Sequence, residues 1–141
     1  VQLTLRFESG ALGTLFASRV ASGRKMGYAY EITGETGMIR FDQEDQNALW
    51  LYQEDGNSGL AGFRKILTGP AHPDYEPFCP GPGHGTGFHD QIVIEAKDFL
   101  TAIETGQPVW PTFADGLEVH RVIAAARAAA ASRGWARPDA F

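Results

Sequence analysis

The first half of the chain alternates apolar and polar residues with a period of two, which is typical of half-buried β-strands. In residues 1–8, for example, Leu3, Leu5 and Phe7 share one side and the polar residues share the other. Turn signals rich in Gly and Ser separate this segment from those that follow. The pattern predicts six short strands, at residues 1–8, 11–20, 28–33, 38–42, 48–53 and 63–67.

Apolar residues recur with helical spacing in two later segments, residues 90–105 and 116–133. We expect Asp90 to cap the first helix, because its carboxylate can accept N–H groups of the first turn. Asp115 and Glu118 predict a capping box at the start of the second helix. The stripes expected to be buried are Ile92, Ala96, Phe99, Leu100 and Ile103 in the first helix and Val119, Val122, Ile123, Ala126 and Ala130 in the second.

Short strands followed by helices predict an α+β fold, in which two main helices pack on one face of an open, mostly antiparallel sheet of five or six strands. The length of 141 residues predicts one domain, residues 1–141. Two helices cover at most one face of such a sheet. Residues 11–20 carry apolar side chains on both sides, so we expect a homo-oligomer that forms through the open face.

The composition argues against several classes of partner and of protein. A net charge of −5 argues against nucleic acid or an anionic membrane as the main partner. There is no apolar run near the roughly 20 residues that span a bilayer. Cys79 is the single cysteine, which excludes an internal disulfide, and no signal peptide is visible, so we expect a cytoplasmic location. The chain begins within a predicted strand and without Met, and we therefore expect it to be part of a longer protein.

The candidate chemistry lies in the loop rich in Gly and Pro before the first helix. This loop lacks G-x-G-x-x-G and G-K-[ST], which argues against a phosphate cradle. His84 lies between two glycines, where a ligand contact is a natural role for a loop histidine. His89 is either a second contact or an exposed neighbour of the helix start. A zinc site formed by Cys79, His84, His89 and Asp90 lacks the usual ligand spacing, and no cationic neighbour activates Cys79 as a nucleophile.

Three stretches follow one another in a recognisable order. Residues 7–13 read FESGALG, residues 31–39 read EITGETGMI, and residues 83–90 read GHGTGFHD before the first helix and its G-Q-P-V end. They resemble, in turn, the F-x-x-G-a-x-G, I-x-G-x-x-G-x-i and G-H-x-x-G-[aromatic]-x-D segments of the glucose-fructose oxidoreductase and inositol dehydrogenase (Gfo/Idh/MocA) superfamily. With the Ala-rich second helix, which resembles the final helix of that family, the resemblance covers nearly the whole chain.

The resemblance implies the C-terminal domain of such an enzyme, whose sheet lines the substrate site and commonly builds dimers or tetramers. An N-terminal Rossmann domain of the same protein would bind NAD or NADP. Full-length members transfer hydride between the nicotinamide and a polyol, a sugar or a related alcohol. By the same resemblance, His84, Phe88 and His89 are expected to contact the substrate.

The dinucleotide fingerprint, the catalytic Lys of an E-K-P motif and the D-x-x-x-H segment of that family are absent from residues 1–141 and would lie upstream. We therefore expect the chain alone neither to bind the cofactor nor to turn over, and its catalytic residues stay unassigned. Two other classes remain open. One is a stand-alone ligand-binding or dimerisation module without enzymatic activity, and the other is a small hydrolase or metal-dependent enzyme that uses Cys79, His84 and His89.

Overall fold

A computed structural model describes residues 1–81 and 83–141, which divide into two compact units. One unit comprises Val1–Ala21 and Phe99–Phe141, and the other comprises Ser22–Asp98. The described residues form six strands and two α-helices, and every strand pair is antiparallel. The predicted open, antiparallel α+β class is therefore confirmed.

The first unit contains a hairpin of β1 (Gln2–Arg6) and β2 (Leu12–Phe16). Both strands are shorter than predicted. The turn between them is the expected one, since Gly10 has a φ of 89° and its N–H donates to the Phe7 carbonyl at 2.9 Å. Glycine adopts this left-handed conformation without steric cost, which explains the residue at this position. The hairpin is also bridged to the chain end by Arg6, whose guanidinium lies 5.1 Å from the centre of the Trp135 ring.

The second unit contains a four-stranded meander of β3 (Ala29–Thr33), β4 (Gly37–Asp42), β5 (Ala48–Gln53) and β6 (Arg64–Leu67). These bounds agree with the predicted segments to within one residue. The prediction of a single sheet of five or six strands is wrong for the described residues, because the strands are divided into sheets of two and four.

The segment between β2 and β3 belongs to neither sheet. Lys25 and Met26 donate their backbone N–H groups to Glu44 Oε1, at 2.8 Å and 3.2 Å, and the Arg24 guanidinium donates to Oε2 at 2.7 Å. Glu44 belongs to a 3₁₀ turn, Gln43–Asp45. The pKa of Glu44 is lowered, first by the Lys25 N–H and then by Arg24. Since these amides bind a carboxylate, they are not available to pair with a strand, and the segment extends neither sheet.

The two faces of the four-stranded sheet differ in chemistry. On one face, the register lines up two apolar rows across the strands. The opposite face carries a charged row, in which Glu31 lies 3.5 Å from Arg40 and the Lys65 ammonium lies 5.5 Å from the Trp50 ring. The apolar rows are Tyr30, Phe41, Leu49 and Ile66, and Ile32, Ile39 and Leu51, the second of which ends at Arg64 of β6. On the edge strand, Tyr30 and Ile32 remain 39% and 57% exposed.

The helices are α1 (Phe88–Thr105) and α2 (Phe113–Ser132), and both begin before their predicted starts. The predicted capping box of Asp115 with Glu118 is wrong. Instead, the Thr112 hydroxyl accepts from the Asp115 N–H, while the Asp115 carboxylate accepts from the Thr112 N–H at 2.7 Å. This reciprocal pair moves the helix start toward Thr112. Within the described residues, no helix is both long and apolar enough to span a membrane.

The stripes expected to be buried are also wrong. Phe99 and Leu100 of α1 are 64% and 63% exposed, and Val119 of α2 is 59% exposed. The buried position of α2 is Ala125, on the small-residue side of that helix. Small side chains let this side approach its neighbours closely, whereas the larger apolar side chains face outward in this chain. Apolar spacing thus located an apolar face but not the surface that covers it.

Candidate functional site

The loop between β6 and α1 is built on a series of backbone turns. The Tyr75 N–H donates to the His72 carbonyl at 2.9 Å, and the Cys79 N–H donates to the Tyr75 carbonyl at 2.8 Å. These turns bring Cys79 inside the unit, where its side chain is fully buried. A buried thiol without access to solvent is not positioned to attack a substrate.

The following segment is held by Asn47, which lies between the 3₁₀ turn and β5. Asn47 Oδ1 accepts from the Thr86 N–H at 2.7 Å, from the Thr86 hydroxyl at 3.2 Å and from the Thr68 hydroxyl at 3.0 Å. Asn47 Nδ2 donates to the Thr86 carbonyl at 2.9 Å. The carboxamide therefore pairs with both backbone groups of Thr86, as a neighbouring strand would. Thr86 is buried, with 4% of its surface exposed.

Gln46 adds a second connection to the same point. Its Nε2 donates to the Thr86 carbonyl at 2.8 Å, and its Oε1 accepts from Gln91 of α1 at 3.2 Å. Farther along α1, the Lys97 ammonium lies 3.1 Å from Asp74 of the loop, which raises the pKa of Lys97. The loop is thus tied to the connector before β5 through Asn47 and Gln46, and it is tied to α1 directly through Asp74 and indirectly through Gln46.

The start of α1 presents two of the predicted substrate contacts. Asp90 is not the N-cap that we predicted but lies in the first turn, where its Oδ2 accepts from the Gly87 N–H at 2.7 Å. This bond satisfies an amide that the helix leaves unpaired, and it fixes the entry of the chain into α1. Phe88 and His89 follow directly, with their ring centres 6.1 Å apart. Both side chains are exposed.

His84 lies on the other side of Thr86 and is also exposed. Its N–H donates to the Gly81 carbonyl at 3.1 Å, and its ring lies over Gly81. Pro82, part of the glycine loop discussed above, lies outside the described residues. The three predicted contacts therefore flank one anchored residue, Thr86, on its two sides.

The structure gives no support to the alternative that uses a metal. Among the described residues, no three His, Cys, Asp or Glu side chains come together as metal ligands. Cys79 is buried, whereas His84 and His89 are exposed.

Two open clefts of the second unit lie on other residues. One is lined by Gln53, Glu54, Asp55, Leu60, Gly62 and Arg64, and the other surrounds the β3–β4 turn. Glu54 of the first cleft accepts from the hydroxyl of Tyr52 at 2.8 Å, a bond that raises the pKa of Tyr52. None of the three predicted contacts lines either cleft. The predicted loop is therefore an exposed surface of this chain.

Sequence reasoning missed Asn47, Gln46 and Thr86, the residues that hold the loop. No local pattern distinguishes a solvated amide from one that, like Asn47, pairs with a residue 39 positions away. The available signal was Gly85, whose lack of a side chain indicates a close approach by another group.

Comparison with known proteins places the chain in a family. The family model described as "Oxidoreductase family, C-terminal alpha/beta domain", that of the Gfo/Idh/MocA proteins, matches residues 1–137. The chain belongs to the Gfo/Idh/MocA oxidoreductase family. The resemblance found in the three sequence motifs is confirmed, and the match is to the C-terminal domain.

Individual Gfo/Idh/MocA proteins agree with this assignment. Levoglucosan dehydrogenase of Pseudarthrobacter phenanthrenivorans is 38% identical over 135 residues, which are 96% of this chain and 35% of that enzyme. A solved levoglucosan dehydrogenase in complex with NADH and levoglucosan superposes with a TM-score of 0.91 at 38% identity, over 96% of this chain and 36% of that one. An oxidoreductase domain protein from Kribbella flavida has a TM-score of 0.89 at 41% identity, over 94% and 34%. The chain thus spans about a third of the length of these relatives.

Proposed function

We propose that the chain is the substrate domain of an NAD(H)-dependent dehydrogenase that acts on a sugar, a polyol or a related alcohol. The observation that carries this proposal is the likeness, over nearly the whole chain, to levoglucosan dehydrogenase, which has been solved with NADH and levoglucosan and with NADH and L-sorbose. The cofactor would be held by a Rossmann domain of the same protein, as the family resemblance implies.

In this proposal, His84, Phe88 and His89 contact the substrate. Imidazole nitrogens donate and accept hydrogen bonds, which suits the hydroxyl groups of a sugar. The Phe88 ring offers an apolar surface to the C–H side of a sugar ring. Because small ligands bury about 70–90% of their surface, an exposed loop supplies only one wall of the site. The Rossmann domain supplies the remaining wall.

The test is steady-state kinetics on the full-length protein that contains this chain. Levoglucosan, L-sorbose and a panel of polyols are assayed with NAD and with NADP. His84→Ala, Phe88→Ala and His89→Ala are compared with His120→Ala, a matched control on the exposed surface of α2.

We expect NAD-dependent activity with at least one sugar or polyol. Each loop variant should lose about tenfold or more in kcat/KM, equivalent to about 1.4 kcal/mol of transition-state binding. The control should stay within about twofold. A full-length protein without nicotinamide-dependent activity would refute the enzymatic proposal in favour of a ligand-binding or dimerisation module. Active loop variants with unchanged kinetics would refute the residue assignment alone.

The same protein is proposed to assemble through the apolar face of the four-stranded sheet. Tyr30 and Ile32 of this face are 39% and 57% exposed, and the Tyr30 and Phe41 rings lie 5.4 Å apart. An extended apolar sheet face in water is unfavourable, since burial of apolar area stabilises by about 25 cal/mol per Å². A second copy of the chain offers the same surface and so pairs with it symmetrically.

Light scattering coupled to gel filtration tests this assembly. Ile32→Lys places a charge on the proposed interface, whereas Thr33→Lys places the same charge on the opposite face of the same strand. We expect a dimer or larger assembly for the wild type and for Thr33→Lys, and dissociation for Ile32→Lys. A monomeric wild type at high concentration, or equal behaviour of both variants, contradicts the proposed interface.

A further inference from the structure

We propose that Asn47 is a positioning residue for the substrate-binding loop and that its carboxamide sets the affinity for the sugar without touching it. This inference rests on the proposed function, because it concerns the same loop. It adds a residue to that function that lies outside the three family motifs, at the start of β5.

The first argument is the complementarity of the Asn47 carboxamide to Thr86. A backbone N–H can only donate and a backbone carbonyl can only accept. Oδ1 faces the Thr86 N–H at 2.7 Å and Nδ2 faces the Thr86 carbonyl at 2.9 Å, so each atom of the amide meets the partner that it requires. Aspartate has no donor, and the single hydroxyl oxygen of serine cannot occupy both positions. The site is specific for an amide.

The second argument is the contact between the same carboxamide and Gly85. A Cβ at residue 85 would lie 2.7 Å from Asn47 Nδ2 and 2.8 Å from Cγ. The chain between His84 and Thr86 therefore runs directly against the Asn47 side chain. Hydrogen bonds fix Thr86, and van der Waals contact fixes the residue before it, so that the path of the backbone is defined in two directions.

The third argument is the position of the predicted substrate contacts relative to this anchor. His84 lies just before the anchored pair, and Phe88 and His89 lie just after it at the start of α1. Gln46 connects the Thr86 carbonyl to Gln91 of the same helix. A shift of Thr86 would therefore move both sides of the loop together. Displacements of about 1 Å at a binding group can cost about a hundredfold in rate.

The decisive variant is Asn47→Asp in the full-length protein. Aspartate has nearly the same shape and retains an acceptor for the Thr86 N–H and for both hydroxyls. In the variant, a carboxylate oxygen takes the place of the Nδ2 donor and faces the Thr86 carbonyl. In the wild type, that carbonyl lies 2.9 Å from Nδ2. We expect the KM for the sugar to rise about tenfold or more, equivalent to about 1.4 kcal/mol of binding. The KM for NAD should stay within about twofold, because the cofactor is held by the other domain.

Two further variants complete the experiment. Thr68→Val removes one donor to Asn47 Oδ1 and should raise the KM for the sugar about two- to threefold, which keeps the inference testable if Asn47→Asp folds poorly. Thr112→Ala weakens the cap of α2 in the other unit and should lower stability without changing either KM.

The outcomes separate the two proposals. A wild-type protein without activity refutes the proposed function, and this inference falls with it. An active wild type whose sugar KM is unchanged in both Asn47→Asp and Thr68→Val refutes the positioning role alone. Equal increases of the sugar and NAD KM, or an increase in Thr112→Ala as well, would show an effect that is not confined to the loop and would also overturn the inference.

Discussion

Alanine at position 85 tests how firmly the loop is held to the sheet. The new Cβ would lie 2.7 Å from Asn47 Nδ2, 2.8 Å from Cγ and 3.0 Å from Oδ1. Favourable contacts between heavy atoms lie near 3.5–4.0 Å, so the Asn47 carboxamide must move away. Gly85 is not among the glycines with a left-handed φ, so its requirement for glycine is steric.

The cost of this movement follows from the bonds that Asn47 would give up. The three shortest hydrogen bonds of its carboxamide are with the Thr86 N–H, the Thr86 carbonyl and the Thr68 hydroxyl. A hydrogen bond of this kind contributes about 0.5–1.5 kcal/mol, so the loss of all three costs about 3 kcal/mol. Replacement of glycine by alanine also raises the free energy of unfolding by about 0.4–1 kcal/mol, because alanine restricts the unfolded chain. Gly85→Ala should therefore lower the free energy of unfolding by about 2 kcal/mol, or the melting temperature by about 7 °C for a chain of this size.

Thermal and urea unfolding of the chain, followed by circular dichroism, measure this loss. Gly62→Ala is the matched control, because no atom lies within 4 Å of a Cβ at that position, and its effect should stay within about 0.5 kcal/mol. In an Asn47→Ala background, alanine at position 85 should cost almost nothing, which gives a coupling energy of about 2 kcal/mol. The argument is refuted if Gly85→Ala is as stable as the wild type, or if it costs the same in both backgrounds.

Two predictions concern α2. The Asp115 carboxylate accepts from the hydroxyl and the N–H of Thr112, and these bonds lower the pKa of Asp115 below the ordinary 3.8. The carboxylate therefore stabilises the fold above pH 3.8, and this contribution is lost as the pH falls through the lowered pKa. Asp115→Asn should be less stable than the wild type at pH 7, and the difference in melting temperature should shrink below about pH 3.8; a constant difference across that range contradicts the assignment. Gly116→Ala should raise the free energy of unfolding by about 0.5–1 kcal/mol, since Gly116 lies in the helix with no atom within 4 Å of a Cβ; a loss of stability would show that the alanine meets an obstacle.

Local pattern was sufficient to predict the elements of the second unit. Strand β5 has the predicted bounds because polar segments flank an apolar run on both sides. The start of α2 was missed for a similar local reason. Thr112 with Asp115, and Asp115 with Glu118, are both spaced as capping boxes, and the sequence does not say which residue leaves the helical conformation.

Contacts between residues that are far apart along the chain could not be predicted from the sequence. Asn47 pairs with Thr86 through a carboxamide that any polar connector contains, and only the fold brings the two together. The path of the segment before β3 depends in the same way on Glu44, which accepts hydrogen bonds from the backbone of Lys25 and Met26. Periodicity carries no information about such a contact.

The exposed side chains of the loop define the role that this surface would have in the proposed site. His84, Phe88 and His89 are exposed to solvent, while the backbone between them is held at Thr86 by Asn47 and Gln46. Groups held in this way can orient a sugar before the cofactor approaches, and orientation of reactants is worth several kcal/mol of a barrier. In the proposed dehydrogenase, hydride transfer would be the chemistry of the cofactor, and these residues would supply binding and orientation. Loss of a loop side chain should then weaken binding of the sugar while leaving the affinity for the nicotinamide cofactor intact.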